Sequence, residues 1–481
     1  MIVLAAALAI TAFLIGFSVF GVVPAAKGAV ALAGSATGTI RDKSLSDDEK
    51  EAAVQKAALG MLRASGSIFW RVAATLIATV APIYLMDLLG LVSASAVFGF
   101  LARVDVIIGA TVLVSAGLWL NAKRPKSTSA YSLMDRVVHR IAFAAPFVQM
   151  AAADMEDTAF AAQTRDIEDK PPVFITSLPR AGTTVVLNAL HDVPGVATHL
   201  YRDMPFIMAP LFWSKISSGF RKDATLAERA HGDGIQVGYD SPEAFEEVIW
   251  RAFWPDHFKG STITPWASGD TNSDATAFFR KHFRKIIALR HGPGGRYVSK
   301  NNGNIARLAL LGQMFPDSQT VVPLRHPGEH AASLLRQHQN FLTQHHQDPF
   351  IKRYMHDIGH LEFGALHQPI AFEGLSDLTA GLSPDQPDYW LAYWIAAHRS
   401  ITEHADKIII APETALQSNG QAAMGALCEK IGIDPAGTDF ARHFKVIPKK
   451  ADPDDFDKSR FSEAMALYDN LSKTGMTQLG F

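Results

Sequence analysis

The stretch 173–190 constrains the fold of this 481-residue chain more than any other. It begins with a short apolar, β-branched run (Val173–Thr176), passes through a turn that holds Pro179 and Gly182, and continues as a helical pattern. A strand, a tight turn and a helix N-terminus together direct backbone N–H groups and the helix dipole at one point, where Arg180 adds positive charge. The sequence therefore predicts a phosphate-binding loop, one without the lysine of the Walker motif.

The rest of the C-terminal part alternates short apolar runs with helical patterns. Four such runs are typical of buried strands: Val173–Thr176, Arg296–Ser299, Thr320–Leu324 and Lys407–Ala411. This alternation predicts an α/β fold over 171–481, with a P-loop-like parallel sheet flanked by helices. Ligands of such sheets bind outside the carboxyl ends of the strands, where Arg180 and Arg325 both follow a predicted strand.

The N-terminal part has a different composition. Charged residues make up 19% of the whole chain, below the roughly 25% usual for soluble domains, and the deficit lies mainly in residues 1–122. Met1–Val23 and Ile68–Met86 are apolar segments of about the length that crosses a bilayer, and Val106–Leu120 is a further segment without charged residues. A cleaved signal peptide is the alternative for the first segment, but a basic n-region is missing and the apolar run is too long. We predict an all-α transmembrane region of about three helices within 1–126.

The segments between these spans set the predicted topology. A capping-box pattern opens a helix near 46–64, which lies in the membrane interface or connects the spans in solvent. Leu88–Ala102 is apolar but short, and could extend a span, re-enter or lie in the interface. Three basic residues at 123–126 favour the cytoplasmic side after the last span. We therefore expect a multi-pass protein of the bacterial inner membrane, linker helices at 127–170 and a cytoplasmic C-terminal domain.

Charge and cysteine content exclude several functions. The net charge of −2 gives no argument for nucleic-acid binding, and we expect none. Cys428 is the single cysteine, so an internal disulfide and a multi-cysteine metal site are both excluded.

Two stretches together resemble a known family. They are Leu178-Pro-Arg-Ala-Gly-Thr-Thr184 and Thr320–Leu334, in which Ser333 follows Arg325 by eight residues. The pair is similar to the two motifs of sulfotransferases that use 3′-phosphoadenosine-5′-phosphosulfate (PAPS). Each motif alone also fits a less specific interpretation. The first could be a generic nucleotide-binding loop, and the second could be the N-terminus of a surface helix. The resemblance covers roughly 171–433.

The resemblance implies a binding site for both anionic ends of PAPS. The first motif would wrap the 5′-phosphosulfate and the second would hold the 3′-phosphate, which implies the following co-substrate contacts: Arg180, Ala181, Gly182, Thr183, Thr184, Arg325 and Ser333. PAPS would be consumed, 3′,5′-bisphosphoadenosine released, and no metal required. Two residues depart from the family pattern, Ala181 where Ser is usual and His326 where Asp is common.

Sulfuryl transfer also needs a cation for the leaving phosphate and a base for the acceptor proton. By the resemblance, Arg180 and Lys300 are the candidate cations, although Lys300 could also be a solvent lysine at a strand end. Related enzymes place a Glu or His about twenty residues after the turn. Asp203 and His199 stand there, and they could instead be a helix cap and a structural histidine.

Two further polar stretches have no settled role. Glu243, Glu246 and Glu247 follow a predicted helix start at Ser241-Pro242, and could orient the acceptor, hold Arg180 or Lys300, or simply complement the helix dipole. The three histidines at 338, 345 and 346 match no tight metal site, and we expect them on a loop near the nucleotide.

The most consistent function is a membrane-anchored, PAPS-dependent sulfotransferase that modifies a hydroxyl or amine of an acceptor. The membrane region favours a lipid or glycan acceptor and makes the lipid bilayer a partner. A P-loop-like nucleotide kinase is the alternative enzyme, disfavoured by the missing Walker lysine. A non-catalytic nucleotide-binding membrane protein is the third possibility, supported by Ala181 and the absent Glu.

Overall fold

The computed structural model divides into two compact units. One comprises Met1–Thr128 with Ile216–Lys222, and the other comprises Ser129–Lys215 with Asp223–Phe481. The structure describes residues 1–22, 25, 47–103, 106, 133–144, 146–217, 227–228, 236–238, 240–444 and 451–481.

The first unit is helical in the part that the structure describes. Helix α1 spans Ile2–Val19, α2 spans Asp47–Leu88 and α3 spans Ala94–Leu101. The predicted separation of an interfacial helix near 46–64 from a span at 68–86 is wrong, because α2 runs through both. Glycines at 60 and 66 weaken a helix by only about 1 kcal/mol each relative to alanine, which does not break it. Buried side chains of α1, α2 and α3 form one apolar cluster.

One helical segment among the described residues, Arg63–Leu88, is long and apolar enough to cross a membrane. The segment has 26 residues, and the most apolar 18 consecutive residues within it have a mean hydropathy of 1.7. Helix α3 has eight residues and rises about 12 Å, too little for a hydrocarbon core of about 30 Å. Most of the predicted span at 106–120 and all of the basic stretch at 121–126 lie outside the described residues.

The second unit is built on a parallel sheet. In chain order the strands are β1 (Val173–Ile175), β2 (Val196–Ala197), β5 (Arg296–Lys300), β6 (Gln319–Leu324) and β7 (Ile409–Pro412). Their order across the sheet is β2-β5-β1-β6-β7, and every pair is parallel. A separate antiparallel pair joins β3 (Ala227–Glu228) to β4 (Gln236–Val237). The predicted parallel α/β sheet is confirmed, and all four predicted strands are present.

The sheet is buried on both faces, since successive strand residues point in opposite directions. Phe174 of β1 packs into one apolar cluster with Tyr297 and Val322. Its neighbours Val173 and Ile175 pack into a second cluster on the other face. Such two-sided burial is what makes the strands continuous apolar runs in the sequence.

Helices cover both faces of this sheet. In chain order they are α4 (Leu133–Ala142), α5 (Pro146–Ala159), α6 (Ala161–Thr164), α7 (Thr183–His191), α8 (Pro210–Ser217), α9 (Glu247–Phe253), α10 (Ser273–Arg290), α11 (Leu308–Met314), α12 (Pro327–Gln347), α13 (Pro349–Asp357), α14 (Leu375–Leu378), α15 (Pro387–Thr402), α16 (Glu413–Ser418), α17 (Gly420–Ile431) and α18 (Lys458–Leu479).

Two local predictions are wrong. The helix expected to start at Ser241-Pro242 begins at Glu247, because residues 241–246 form a turn and an extended segment that is largely buried. The histidines at 338, 345 and 346 lie on α12 rather than on a loop. Their polarity obscured a helical pattern in which Leu334, Phe341 and His345 face the core.

The C-terminal helix α18 lies against the edge strand β7. The side-chain amide of Gln478 donates to the backbone oxygen of Ile408 (3.0 Å), and its oxygen accepts from the N–H of Ile410 (2.8 Å). Gly475 makes the close approach possible, because a Cβ atom there would lie 2.8 Å from the backbone oxygen of Ile410. One side chain of α18 thus satisfies backbone groups of the strand.

Candidate functional site

The loop after β1 forms a concave backbone surface at the start of α7. Arg180 and Gly182 have φ angles of +72° and +97°, so the chain turns sharply twice within three residues. Gly182 is the N-terminal cap of α7, and its carbonyl accepts from the N–H of Val185 at 3.0 Å. The first N–H groups of a helix have no partner within the helix. The loop therefore directs backbone donors at the space that an anion would occupy.

Hydrogen bonds from two side chains, His330 and Arg325, hold this loop in place. His330 Nε2 donates to the carbonyl of Pro179 (2.7 Å), while Nδ1 of the same ring accepts from Trp394 Nε1 (3.2 Å). That pair of bonds requires a neutral imidazole with its proton on Nε2, and burial holds the pKa of His330 well below its usual range. Arg325 Nη1 donates to the carbonyl of Arg180 at 3.0 Å.

Charged side chains follow one another along the carboxyl edge of the sheet. Lys300 ends β5, Arg180 lies in the loop after β1, Arg325 directly follows β6, and Glu413 directly follows β7. Arg180 Nε donates to Ser333 Oγ on α12 at 3.3 Å. Arg325 Nε lies 3.7 Å from Glu413 Oε1. Burial lowers the pKa of Arg325 from its usual value, although Glu413 opposes the shift.

These residues open into a cavity of about 370 Å³. Seven predicted site residues line it: Arg180, Ala181, Gly182, Thr183, Thr184, Lys300 and Arg325. Ser333 contacts this set through its hydrogen bond with Arg180. Apolar side chains cover much of the remaining wall, among them Phe341, Phe363 and Phe444. The sequence-predicted cations and backbone donors therefore meet in one place.

Asp203 and His199, the predicted candidates for the base, lie elsewhere. Asp203 is 2% exposed, and both of its oxygens accept from Arg290 Nη2 at 2.5 Å. His199 is equally buried, with Nε2 at 2.9 Å from His282 Nε2 and Nδ1 at 3.3 Å from Asp203. Neither residue lines the cavity.

The electrostatics of Asp203 also argue against a role as base. Burial alone would raise the pKa of the Asp203 carboxyl, but His199 and Arg290 outweigh burial and hold this pKa below its usual value. A carboxylate that two cationic or donating groups stabilise binds a proton poorly. The sequence could not indicate this pairing, because Arg290 lies 87 residues further along the chain.

The three acidic residues near α9 have separate roles. Glu243 Oε1 lies 4.0 Å from Lys300 Nζ, with both side chains almost fully buried, and Glu243 Oε2 accepts from Tyr201 at 2.5 Å. Glu246 accepts from the hydroxyl of Tyr297 (2.7 Å), and burial raises the pKa of the Glu246 carboxyl. The contact between Glu243 and Lys300 agrees with one of the roles considered from the sequence, in which an acidic residue holds a cation of the site in place.

Glu247 belongs to a buried ion pair behind the site. Its Oε1 accepts from Arg307 Nη2 (2.7 Å), and its Oε2 accepts from Asn301 Nδ2 (2.7 Å). The guanidinium carbon of Arg307 lies 4.4 Å from the ring centroid of Trp250 and 4.2 Å from that of Trp266. Cation–π contacts and the ion pair therefore link α9 to Asn301, which follows β5, and to the segment that carries Arg307.

Of the histidines expected near the nucleotide, His345 lines the cavity. Sequence reasoning missed several other polar side chains that line it, namely His360, Glu362, Glu413 as a lining group, Gln417 and His443. Tertiary packing brings them there from α12, α16 and the loops after α13 and α17. Among the residues that the structure describes, no group of three or more His, Cys, Asp or Glu side chains could hold a metal ion.

Comparison with known proteins supports the predicted resemblance. Residues 171–368 match the model of the sulfotransferase family. This match confirms the resemblance over the segment that contains the loop, Lys300 and Arg325. No curated protein matches the chain.

Solved structures similar to this one include three bacterial sulfotransferases. One from Mycobacterium tuberculosis H37Rv has 12% identity and a TM-score of 0.39, with 73% of this chain and 88% of that chain covered. One from Alicyclobacillus acidocaldarius has 12% identity, a TM-score of 0.32 and coverage of 65% and 96%. One from Mycobacterium avium has 14% identity, a TM-score of 0.32 and coverage of 72% and 87%.

Proposed function

We propose that this protein transfers a sulfuryl group from PAPS to a hydroxyl or amine of an acceptor. The observation that carries the proposal is the row of cations along the carboxyl edge of the sheet. Lys300, Arg180 and Arg325 follow three adjacent strands, beside a loop rich in backbone donors. PAPS has two anionic groups on one nucleotide, and this site offers two places for anions. The two anionic groups of PAPS therefore fit the cations and backbone donors of this site.

In this proposal the loop and Arg180 bind the 5′-phosphosulfate. The N–H groups of Gly182, Thr183 and Thr184 donate to it, as helix N-termini do to phosphates. The guanidinium of Arg325 and the hydroxyl of Ser333 bind the 3′-phosphate, for which a planar fork of donors is well suited. Residues 180–184 with Arg325 and Ser333 therefore form the proposed co-substrate site.

Lys300 and Arg180 are proposed to stabilise charge on the leaving phosphate. Lys300 lines the cavity and is buried next to Glu243. Fixed cations in a site with little water stabilise developing charge more strongly than exposed ones do. Glu243 limits the motion of the Lys300 ammonium, so that its charge is in position before the reaction begins.

The N-terminal unit is proposed to anchor the protein in a membrane, with several spans and a cytoplasmic catalytic unit. Its support is the apolar segment Arg63–Leu88 together with the apolar composition of residues 1–122. A lipid or a membrane-bound glycan would then be the most accessible acceptor. Release of the expressed protein from membranes by alkaline carbonate would refute the anchor, and protease protection of a C-terminal tag in inverted vesicles would test the orientation.

The proposed activity can be tested on the full chain in detergent. We expect micromolar or tighter binding of 3′,5′-bisphosphoadenosine by calorimetry, and transfer of label from [³⁵S]PAPS to a component of a bacterial membrane extract. Binding without any transfer would favour the non-catalytic nucleotide-binding alternative. Binding of ATP with Mg²⁺ but not of the bisphosphate would favour the kinase. Absence of all binding would overturn the proposal.

A further inference from the structure

The loop after β1 begins with a tight turn at residues 178–181. The N–H of Ala181 closes this turn by donating to the carbonyl of Leu178 at 3.3 Å. Pro179 takes the second position of the turn, and Arg180 takes the third with a φ of +72°. A positive φ at the third position defines a type II turn, in which glycine is the usual residue. An arginine therefore lies where the backbone favours glycine.

This third position is strained for any residue with a side chain. The left-handed conformation disfavours an L-residue by a factor of roughly 5 to 30. A type I turn would remove the strain, because its third residue has a negative φ. Both turn types accept proline at the second position and have the same closing hydrogen bond, and they differ in the central peptide, which is rotated by about 180° between them. Neither Pro179 nor the closing bond therefore selects the strained turn.

His330 makes the contact that does select it. Its Nε2–H donates to the carbonyl of Pro179 at 2.7 Å, and the side chain is fully buried. In a type I turn this carbonyl would point away from His330, and a buried donor without an acceptor is costly. Arg325 donates to the carbonyl of Arg180, which belongs to the next peptide and has the same direction in both turns. The central peptide between Pro179 and Arg180 is thus held through His330.

Trp394 fixes the imidazole in the tautomer that this contact requires. Trp394 Nε1, on α15, donates to His330 Nδ1 at 3.2 Å, so Nδ1 is the acceptor and Nε2 carries the proton. The indole is fully buried, and its ring stacks on that of His398 with the centroids 3.6 Å apart. Packing between α12 and α15 therefore determines which ring nitrogen of His330 faces the turn.

The direction of the central peptide matters for an anion in the cavity. Peptide groups are planar and trans, so the N–H of Arg180 points away from the carbonyl of Pro179. His330 holds this carbonyl towards the protein interior, while Pro179 and Arg180 line the cavity. A reversed peptide would place a carbonyl oxygen, which repels anions, where the N–H group lies. It would also turn the side chain of Arg180 away from Ser333, to which its Nε donates at 3.3 Å.

We propose that His330 is a positioning residue for binding of the sulfuryl donor, and that it holds the peptide between Pro179 and Arg180 in the type II orientation. Trp394 supports it by setting the tautomer. This inference rests on the proposed function, because it concerns the loop assigned to the 5′-phosphosulfate. His330 does not line the cavity, and it acts on the donor through the loop.

The test compares His330→Asn and His330→Gln with the control His356→Asn, a residue 54% exposed on α13, in the full chain in detergent. The amide nitrogen of glutamine reaches about as far as Nε2 of histidine and can still donate to Pro179, whereas that of asparagine reaches only as far as Nδ1. His330→Asn should raise the Kd values of 3′,5′-bisphosphoadenosine and 5′-AMP by the same factor, roughly 5- to 30-fold, because the binding-competent turn is less populated. His330→Gln and His356→Asn should bind both nucleotides as the wild type does.

Glycine at position 180 gives a second readout, which a purely structural role of His330 would not move. Arg180→Gly and Arg180→Ala both remove the guanidinium, but only glycine adopts a positive φ without strain. Adding His330→Asn should raise the Kd for 3′,5′-bisphosphoadenosine roughly 5- to 30-fold in the Arg180→Ala background and leave it nearly unchanged in the Arg180→Gly background. Calorimetry at low salt, where anions bind more tightly, measures all four variants.

Three results would overturn the role of His330 and leave the proposed function intact. They are a wild-type affinity in His330→Asn, a loss of affinity in folded His330→Gln as large as in His330→Asn, and equal losses in the two backgrounds at position 180. A thermal midpoint close to that of the wild type shows that a variant is folded. If His330→Asn does not fold, the affinity of His330→Gln decides, since a loss there contradicts the proposal. Failure of the wild type to bind either nucleotide would overturn the proposed function itself.

Discussion

Replacement of Arg325 by alanine tests the assignment of the 3′-phosphate. The guanidinium makes two kinds of contact in the structure. Nη1 donates to the carbonyl of Arg180, whereas Nε lies 3.7 Å from Glu413. Arg325 lines the cavity and its side chain is only 12% exposed, so water competes little for its donors. Arg325→Ala should therefore weaken binding of the 3′-phosphate and, separately, loosen the loop that binds the 5′ end.

The two effects have different magnitudes. A hydrogen bond to a charged group contributes about 1.5–3 kcal/mol, so loss of the contacts to the 3′-phosphate costs about 3 kcal/mol. Loss of the neutral-acceptor bond to the loop costs about 1 kcal/mol. We expect the Kd for 5′-AMP, which lacks the 3′-phosphate, to rise about 5-fold, and the Kd for 3′,5′-bisphosphoadenosine to rise several hundred-fold.

Calorimetry with both nucleotides on the full chain measures these changes. Arg399→Ala is the matched control, because Arg399 pairs with Glu463 at the surface and is 46% exposed. A thermal midpoint close to that of the wild type would show that Arg325→Ala is folded. Equal losses for the two nucleotides would refute the reasoning, since Arg325 would then act only through the loop. No loss for either would refute the site altogether.

Three further predictions follow from single side chains. Lys300→Met should lower the single-turnover rate of ³⁵S transfer by about 100- to 1,000-fold with little change in nucleotide affinity, whereas the exposed control Lys281→Met should leave the rate unchanged. Gly182→Ala forces an L-residue to a φ of +97° and should cost about 1–2 kcal/mol of stability in urea unfolding, unlike Gly312→Ala at an open helical site. Burial raises the pKa of Glu156 from 4.5 to about 7, so the folded state binds the extra proton and stability falls as pH rises through this window. The stability of wild type relative to Glu156→Gln should drop by about 3 kcal/mol between pH 4.5 and 8, and a pH-independent difference would contradict it.

The parts of the site that were predictable are those that local sequence determines. The strand, the turn and the helix start at 173–184 are each fixed by neighbouring residues. Arg325 and Lys300 could be placed because each lies at the end of a continuous apolar run, and the ends of parallel strands share one edge. That Arg325 and Lys300 lie at the same edge of the sheet could therefore be predicted, although no contact of either residue could be.

The parts that were not predictable depend on pairs distant in the sequence. Asp203 could not be excluded as a base without Arg290, which reaches it from the last turn of α10. His360 and Glu362 gave no signal, because a single His-x-Glu is common in loops and its position comes from Gly359 packing on Glu247. Polar residues on helices caused the error at 338–346, since their burial depends on partners that periodicity does not identify.

The contact of Gln478 with β7 has a consequence for solubility. An edge strand with free N–H and C=O groups is a template on which other chains can add strands and aggregate. Here the amide of Gln478 imitates one residue of an additional strand, and the body of α18 blocks the approach of any other. Helix α18 therefore covers the edge of the sheet. Truncation before Lys458 would expose β7 as an edge strand with which other chains could pair, and would promote aggregation.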